Sequence, residues 1–206
     1  NGVDQEIFKP NAGNRPSSLP PNDVPLIGFT GTFRPWHGIH DLLLSFETLV
    51  KEMGSDAHLL CIGDGPEKQA FEINVQKKGL RDRVHFTGSI PHSSVGEWLG
   101  YCDLGVAPYP KMDEFWFSPL KIFEYFSSGL PVVATNRGQI SSLVPEDRGS
   151  LIEPGNIPQF AQGMKSELER IGKDPDIGKK CRDWALNHAT WEMRAQQILN
   201  AVESVR

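Results

Sequence analysis

The sequence predicts a doubly wound α/β domain on a parallel, Rossmann-like sheet, and three observations predict it. Short apolar runs at Val24–Thr30, Ala57–Ile62, Val84–Thr87, Leu104–Pro108, Pro131–Ala134 and Ser150–Ile152 alternate with segments of helical periodicity. The runs are apolar throughout rather than at alternate positions, as strands covered on both faces are. Most glycines and unusual residues fall in the loops after the strands, 31–38, 63–66, 88–91, 109–118 and 135–139. Those are the carboxyl ends, where such sheets bind ligands.

Taken in order, Asn1–Pro10 has no element of its own, and residues 11–23, rich in Asn, Gly, Pro and Ser, read as a linker. The domain then runs over 24–190. After the first strand and its loop, Asp41–Met53 carries Leu42, Leu43, Phe46, Leu49, Val50 and Met53 as a helical stripe. A polar helix ends near Lys78, with Gly79 as its stop, and Ser93–Tyr101 is a short helix. Ile140–Val144 reads as one helical turn. Helices over Pro158–Ile171, Ile177–His188 and Trp191–Val205 close the chain, the last using Met193, Ile198, Leu199 and Val202 as apolar positions.

The 206 residues, 38% hydrophobic and 23% charged, suffice for a core without staples. A net charge of −5 argues against nucleic acid as a partner. Cys61, Cys102 and Cys181 have neither metal nor disulfide-framework spacing, which favours a reducing, cytoplasmic compartment. No signal peptide or long apolar run is present, so nothing here spans a membrane. Peripheral contact with a membrane's inner face is left to a segment outside these residues.

The stretch Ser118–Ala134 concentrates the chemistry. Ser118 is a candidate N-cap and Pro119 suits the first helical position; Leu120, Phe123 and Phe126 have core spacing, and Gly129 stops the helix. Lys121 and Glu124 are three apart, so they share a face. A helix start with a lysine suits a phosphate, and a carboxylate one turn on can accept hydrogen bonds from sugar hydroxyls. The same pair also reads as an ordinary surface ion pair. In the first loop, Gly31 permits close approach, Arg34 is a planar donor suited to phosphate, and His37 is a donor near neutral pH; Arg34 could equally be solvated. Gly63-Asp-Gly-Pro66 reads as a turn. Histidines 40, 58, 85, 92 and 188 show no ligand spacing and read as structural or exposed, and Asp113 with Glu114 reads as a solvated tip.

These pieces together resemble the C-terminal, donor-binding domain of a family-four retaining glycosyltransferase with the two-domain GT-B fold. Asn1-Gly-Val-Asp4, Gly31…His37-Gly38, Ile62-Gly-Asp-Gly-Pro66, Val84-His-Phe-Thr-Gly88, Asp103-Leu-Gly-Val-Ala-Pro108 and Glu124…Gly129-Leu-Pro-Val-Val133 stand in the family's order and spacing. The resemblance implies a nucleotide-sugar donor, UDP-linked by frequency in the family, and retaining transfer to an acceptor hydroxyl in polysaccharide or glycoconjugate synthesis. It implies that Glu124 binds the ribose, and that Gly31, Thr32, Arg34, His37, Ser118, Pro119, Leu120 and Lys121 surround the diphosphate. Ser89 and Ile90 would meet the base through backbone groups. The family's first motif Glu falls on Trp116, and its loop Arg and Lys on Thr32 and His37. Lys121 and Arg34 are therefore expected to supply the cations, with no metal and no other cofactor. An acceptor site for a sugar or lipid-linked acceptor would lie in an N-terminal domain outside this chain, toward which the helix from Trp191 would return. The alternatives are half of a non-hydrolysing sugar-nucleotide epimerase, or a nucleotide-binding scaffold whose catalytic features have decayed.

Overall fold

The computed structural model describes residues 1–10, 13–113 and 118–203. Its six strands form one parallel sheet in the order β3-β2-β1-β4-β5-β6. They are β1 (Leu26–Thr30), β2 (His58–Ile62), β3 (Val84–Gly88), β4 (Leu104–Ala107), β5 (Val132–Thr135) and β6 (Gly149–Ile152). β1, β4 and β5 are buried at every position, which is why they read as unbroken apolar runs.

Helices cover both faces. One core gathers Leu42, Phe46 and Leu49 of α1 (Ile39–Lys51), Phe71 and Val75 of α2 (Lys68–Lys77), and Phe160 and Met164 of α6 (Ile157–Ile171). The other gathers Val95 and Leu99 of α3 (His92–Leu99), Phe123 and Phe126 of α4 (Leu120–Ser127), Ile140 of α5 (Ile140–Leu143), and Cys181 and Ala185 of α7 (Ile177–His188). All three cysteines are free and buried. Short 3-10 turns at Pro35–His37 and Arg81–Arg83, absent from the sequence reading, lead into α1 and β3.

Residues 1–23 carry no helix or strand among those described, yet they are held against this domain. Val3 N–H donates to the Ala189 carbonyl at 2.8 Å, and Val3 and Phe8 are buried. Arg182 of α7 donates to the carbonyls of Gln5, Phe8 and Ser127. Arg15 donates to the Tyr101 carbonyl at 2.9 Å and to Asp103 Oδ2 at 2.7 Å. Composition marks this segment as a loop, but anchors drawn from distant parts of the chain fix its place.

α8 (Trp191–Glu203) buries none of its residues. Trp191, Ile198, Leu199 and Val202 are between 52% and 65% exposed, so these apolar positions face solvent here, while Met193 is half-buried. The expected end at Val205 lies outside the described residues. No helix among the described residues is long and apolar enough to cross a membrane.

Candidate functional site

In the order 3-2-1-4-5-6 the winding reverses between β1 and β4, and the crevice belongs at their carboxyl ends. Only Ile27–Leu104 and Gly28–Gly105 pair across this junction. Beyond them Tyr125, from α4, closes the gap: Thr30 N–H donates to its hydroxyl at 3.0 Å, and the hydroxyl donates to the Val106 carbonyl at 3.0 Å. The loops after β1 and β4 touch at Gly38, whose φ is 69° and where a Cβ would lie 1.5 Å from the Pro108 oxygen. The Gly63-Asp-Gly-Pro66 turn does more than reverse the chain. It braces the first loop, since Gly31 N–H donates to Ile62 O and Phe33 N–H to Asp64 O, each at 3.0 Å.

α4 begins one residue later than expected. Pro119 is the N-cap, and the Ser118 side chain makes no capping bond; the Ser118 carbonyl instead accepts from Leu120 N–H at 2.9 Å. A proline with ψ of 67° turns the chain into the helix, leaving the hydroxyl without its expected donor. Leu120 is not a core residue but 42% exposed, because α4 enters from the crevice side. Gly129 ends the helix as expected, with φ of 78° and the following Leu130 N–H donating to Tyr125 O at 2.9 Å.

Lys121 is the unusual residue. It is buried, and Nζ has no hydrogen-bond partner among the described residues. It lies 4.5 Å from the ring centre of Phe29 and 5.0 Å from that of Tyr109. The aromatic faces compensate part of the lost hydration. Burial brings its pKa down to about 7 against the favourable charge of Glu124. The surface-pair reading of Lys121 and Glu124 is therefore excluded. A Cβ placed on Gly31 would lie 3.2 Å from both Lys121 Nζ and His37 Nδ1, so the first loop and the start of α4 face each other across the crevice.

His37 Nδ1 donates to the Thr32 carbonyl, and Thr32 Oγ1 is 3.2 Å away. Burial, with the charges of Lys121 and Arg34, takes its pKa down to about 4. It is a neutral imidazole at pH 7, not a cation. Arg34 is exposed, with Cζ 5.3 Å from the centre of the Trp36 ring. Ser89 is exposed and Ile90 half-buried in the loop that joins β3 to α3. Trp116 and Glu114 lie outside the described residues.

The sequence reading set His92 aside as structural or exposed; the structure brings it to the site. Its Nε2 is 3.0 Å from Glu124 Oε1, with the histidine side chain 68% exposed and the carboxylate 14% exposed. No spacing signal could have found this pair, since it joins two helices packed on the same sheet face. The remaining histidines on β2 and β3, His58 and His85, hydrogen-bond at 2.8 Å with stacked rings, away from the crevice. Among the described residues no group of three or more His, Cys, Asp and Glu could hold a metal ion.

Fold and crevice together define a Rossmann-like domain whose sheet has its switch point beside the buried Lys121 amine. The match of residues 24–170 to the family described as glycosyl transferases group 1 shows that the chain belongs to that family. A sulfoquinovosyl transferase of Arabidopsis thaliana is 28% identical over 216 residues, covering 98% of this chain and 39% of the relative. The C-terminal domain of a glycosyl transferase group 1 family protein of Francisella tularensis superposes with a TM-score of 0.73 at 22% identity, covering 92% of this chain and 100% of that one. The Anabaena protein HepE, solved in complex with UDP, superposes with a TM-score of 0.79 at 22% identity over 99% of this chain and 56% of its own. These likenesses give the chain the Rossmann-like fold of one half of a GT-B glycosyltransferase. The chain spans 38% to 42% of the length of the first curated relatives it matches.

Proposed function

We propose that this chain is the donor-binding half of a retaining glycosyltransferase that transfers a hexosyl group from a nucleotide-sugar to an acceptor hydroxyl. The single observation that carries the reading is the buried Lys121 Nζ at the amino end of α4, without a hydrogen-bond partner among the described residues and facing the first loop. An ammonium enclosed without an acceptor is a site for an anion. Glu124, one turn on and largely shielded from solvent, is placed to accept from ribose hydroxyls. The base would meet the loop at Ser89 and Ile90. A UDP-linked donor is supported by the nucleotide bound in the Anabaena neighbour.

As the sugar leaves, negative charge grows on the diphosphate. Lys121 and the positive end of α4 stabilise that charge, with Arg34 reaching in from the exposed side of the first loop. Removing one such donor costs about 3–4 kcal/mol of barrier lowering. His37, neutral, serves as a hydrogen-bonding group that fixes the loop through Thr32 rather than as the third cation. These groups do the charge work without a metal ion or other cofactor. Transfer belongs to the whole protein, whose other half would bring a sugar or lipid-linked acceptor, in polysaccharide or glycoconjugate synthesis, in the cytoplasm or at a membrane's inner face. This half alone binds donor and does not turn over. The named relatives are transferases, which supports transfer over epimerisation.

Calorimetry with UDP, GDP and ADP tests the reading. One of them is expected to bind, and Glu124→Ala to weaken it about tenfold or more, on the order of one charged hydrogen bond. No binding of any at millimolar concentration refutes the donor-site assignment, and unchanged affinity in Glu124→Ala removes that residue from the ribose.

A further inference from the structure

We propose that the pocket before α4 takes up its diphosphate together with a proton, which goes to Lys121 Nζ. This rests on the donor-site reading above and adds how the site manages its charge. An ammonium has three donors to satisfy, and here the described residues offer it only two ring faces. Among the described residues the titratable groups around it are few. Glu124 lies on the same helix, with one oxygen engaged by His92 of α3. The first loop contributes neutral His37, and Arg34 beyond it; the loop after β4 contributes Tyr109, whose phenol burial keeps protonated. β1 contributes only the Phe29 ring.

Among the described residues Glu124 and the two ring faces favour the charged form, and burial outweighs them, so the amine is mostly neutral above about pH 7. A diphosphate supplies both missing things, negative charge and acceptor oxygens. On binding, the neutral –NH2 takes one H+ from solvent, becomes –NH3+ and donates to a phosphate oxygen. When the ligand departs the proton returns to solvent. A solvated lysine, already charged at this pH, would take up none. The empty pocket thus avoids an uncompensated buried charge, and the filled one holds a full ion pair.

Isothermal calorimetry of UDP binding at pH 8.5, in buffers of different ionisation enthalpy, reads the proton directly. The terminal phosphate, with its pKa near 6, is already ionised there and adds nothing. Uptake approaching one proton per UDP is expected, with affinity falling nearly tenfold per pH unit above about 7.5, as linkage requires. Lys121→Arg, permanently charged, is expected to bind UDP without uptake; Lys121→Met is expected to bind more weakly, with no fall in affinity over the same range. UDP bound by the parent chain with no uptake at pH 8.5 overturns the proposal and leaves the donor site standing, as does uptake undiminished in Lys121→Arg. Failure of UDP, GDP and ADP alike to bind at pH 7 overturns both.

Discussion

Lys121 holds an amine where a hydrocarbon of the same length would be more stable. Its pKa falls from 10.5 to about 7, a separation of the two protonation states on the order of 5 kcal/mol. The folded pKa lies below the unfolded one, so between these values the unfolded chain binds more protons. Stability from this group therefore rises as pH climbs from about 7 toward 10.5. Lys121→Met is expected to be more stable than the parent at pH 7 by a few kcal/mol. Its advantage should shrink by about 1.4 kcal/mol per unit as pH rises to 9. Urea denaturation of both proteins at pH 7, 8 and 9 measures the difference; a constant gap would mean that the amine titrates as if solvated. The buried thiols, pushed up by burial, oppose this trend near pH 9 but equally in both proteins. The sequence made Lys121 and Glu124 candidates through helix-start chemistry. It could not decide between an anion site and a surface pair, because Phe29 and Tyr109, which enclose the amine, arrive from β1 and from beyond β4.

α4 is the element on which the crevice depends. Its apolar residues Phe123 and Phe126 and its Gly129 stop were legible from spacing and turn chemistry. Its entry was not: a Ser-Pro start reads as a cap, and only the path of the preceding chain determines that Pro119 takes that role. Nor did periodicity show that Tyr125 would be buried on the flank opposite Leu120, since an amphipathic stripe says nothing about a polar atom wanted inside. That hydroxyl satisfies the Thr30 N–H and the Val106 carbonyl where the β1–β4 ladder has ended. Tyr125→Phe keeps the ring and strands both backbone groups in a dry interior, a loss of about 1–3 kcal/mol each at most. We expect a lower melting temperature together with weaker UDP binding, because the strand ends that carry the first loop and Tyr109 lose their tie. If thermal unfolding and calorimetry show a stability loss with unchanged affinity, the tyrosine supports the sheet but not the pocket.

At the scale of the whole molecule, the strand runs and the six-strand sheet followed from composition and period, whereas contacts between distant segments did not. Val3 against Ala189, Arg182 against Phe8 and His92 against Glu124 each join parts of the chain that no local pattern relates. One such contact sets how the fold meets acid. His58 and His85 stack across β2 and β3 and share one hydrogen bond at 2.8 Å, which requires at least one neutral ring. Burial, then the neighbouring His85 and Arg83, takes His58 down to about 4; burial and Arg81 lower His85. His37 is likewise held near 4 in the crevice. A histidine with a depressed folded pKa gains its proton only on unfolding, so the unfolded chain binds more protons as pH falls below about 6.5. The stability these histidines contribute should therefore be fully present above pH 6.5 and drain away as pH drops toward 4, before most carboxylates titrate. His58→Asn removes one of these protons and the mutual repulsion of the rings. Its loss of stability between pH 6.5 and 4.5 should be visibly shallower than the parent's in melting curves taken at half-unit steps. Parallel curves would show that the stacked pair takes up its protons in the folded chain at the same pH as in the unfolded one, and would remove it from the acid response.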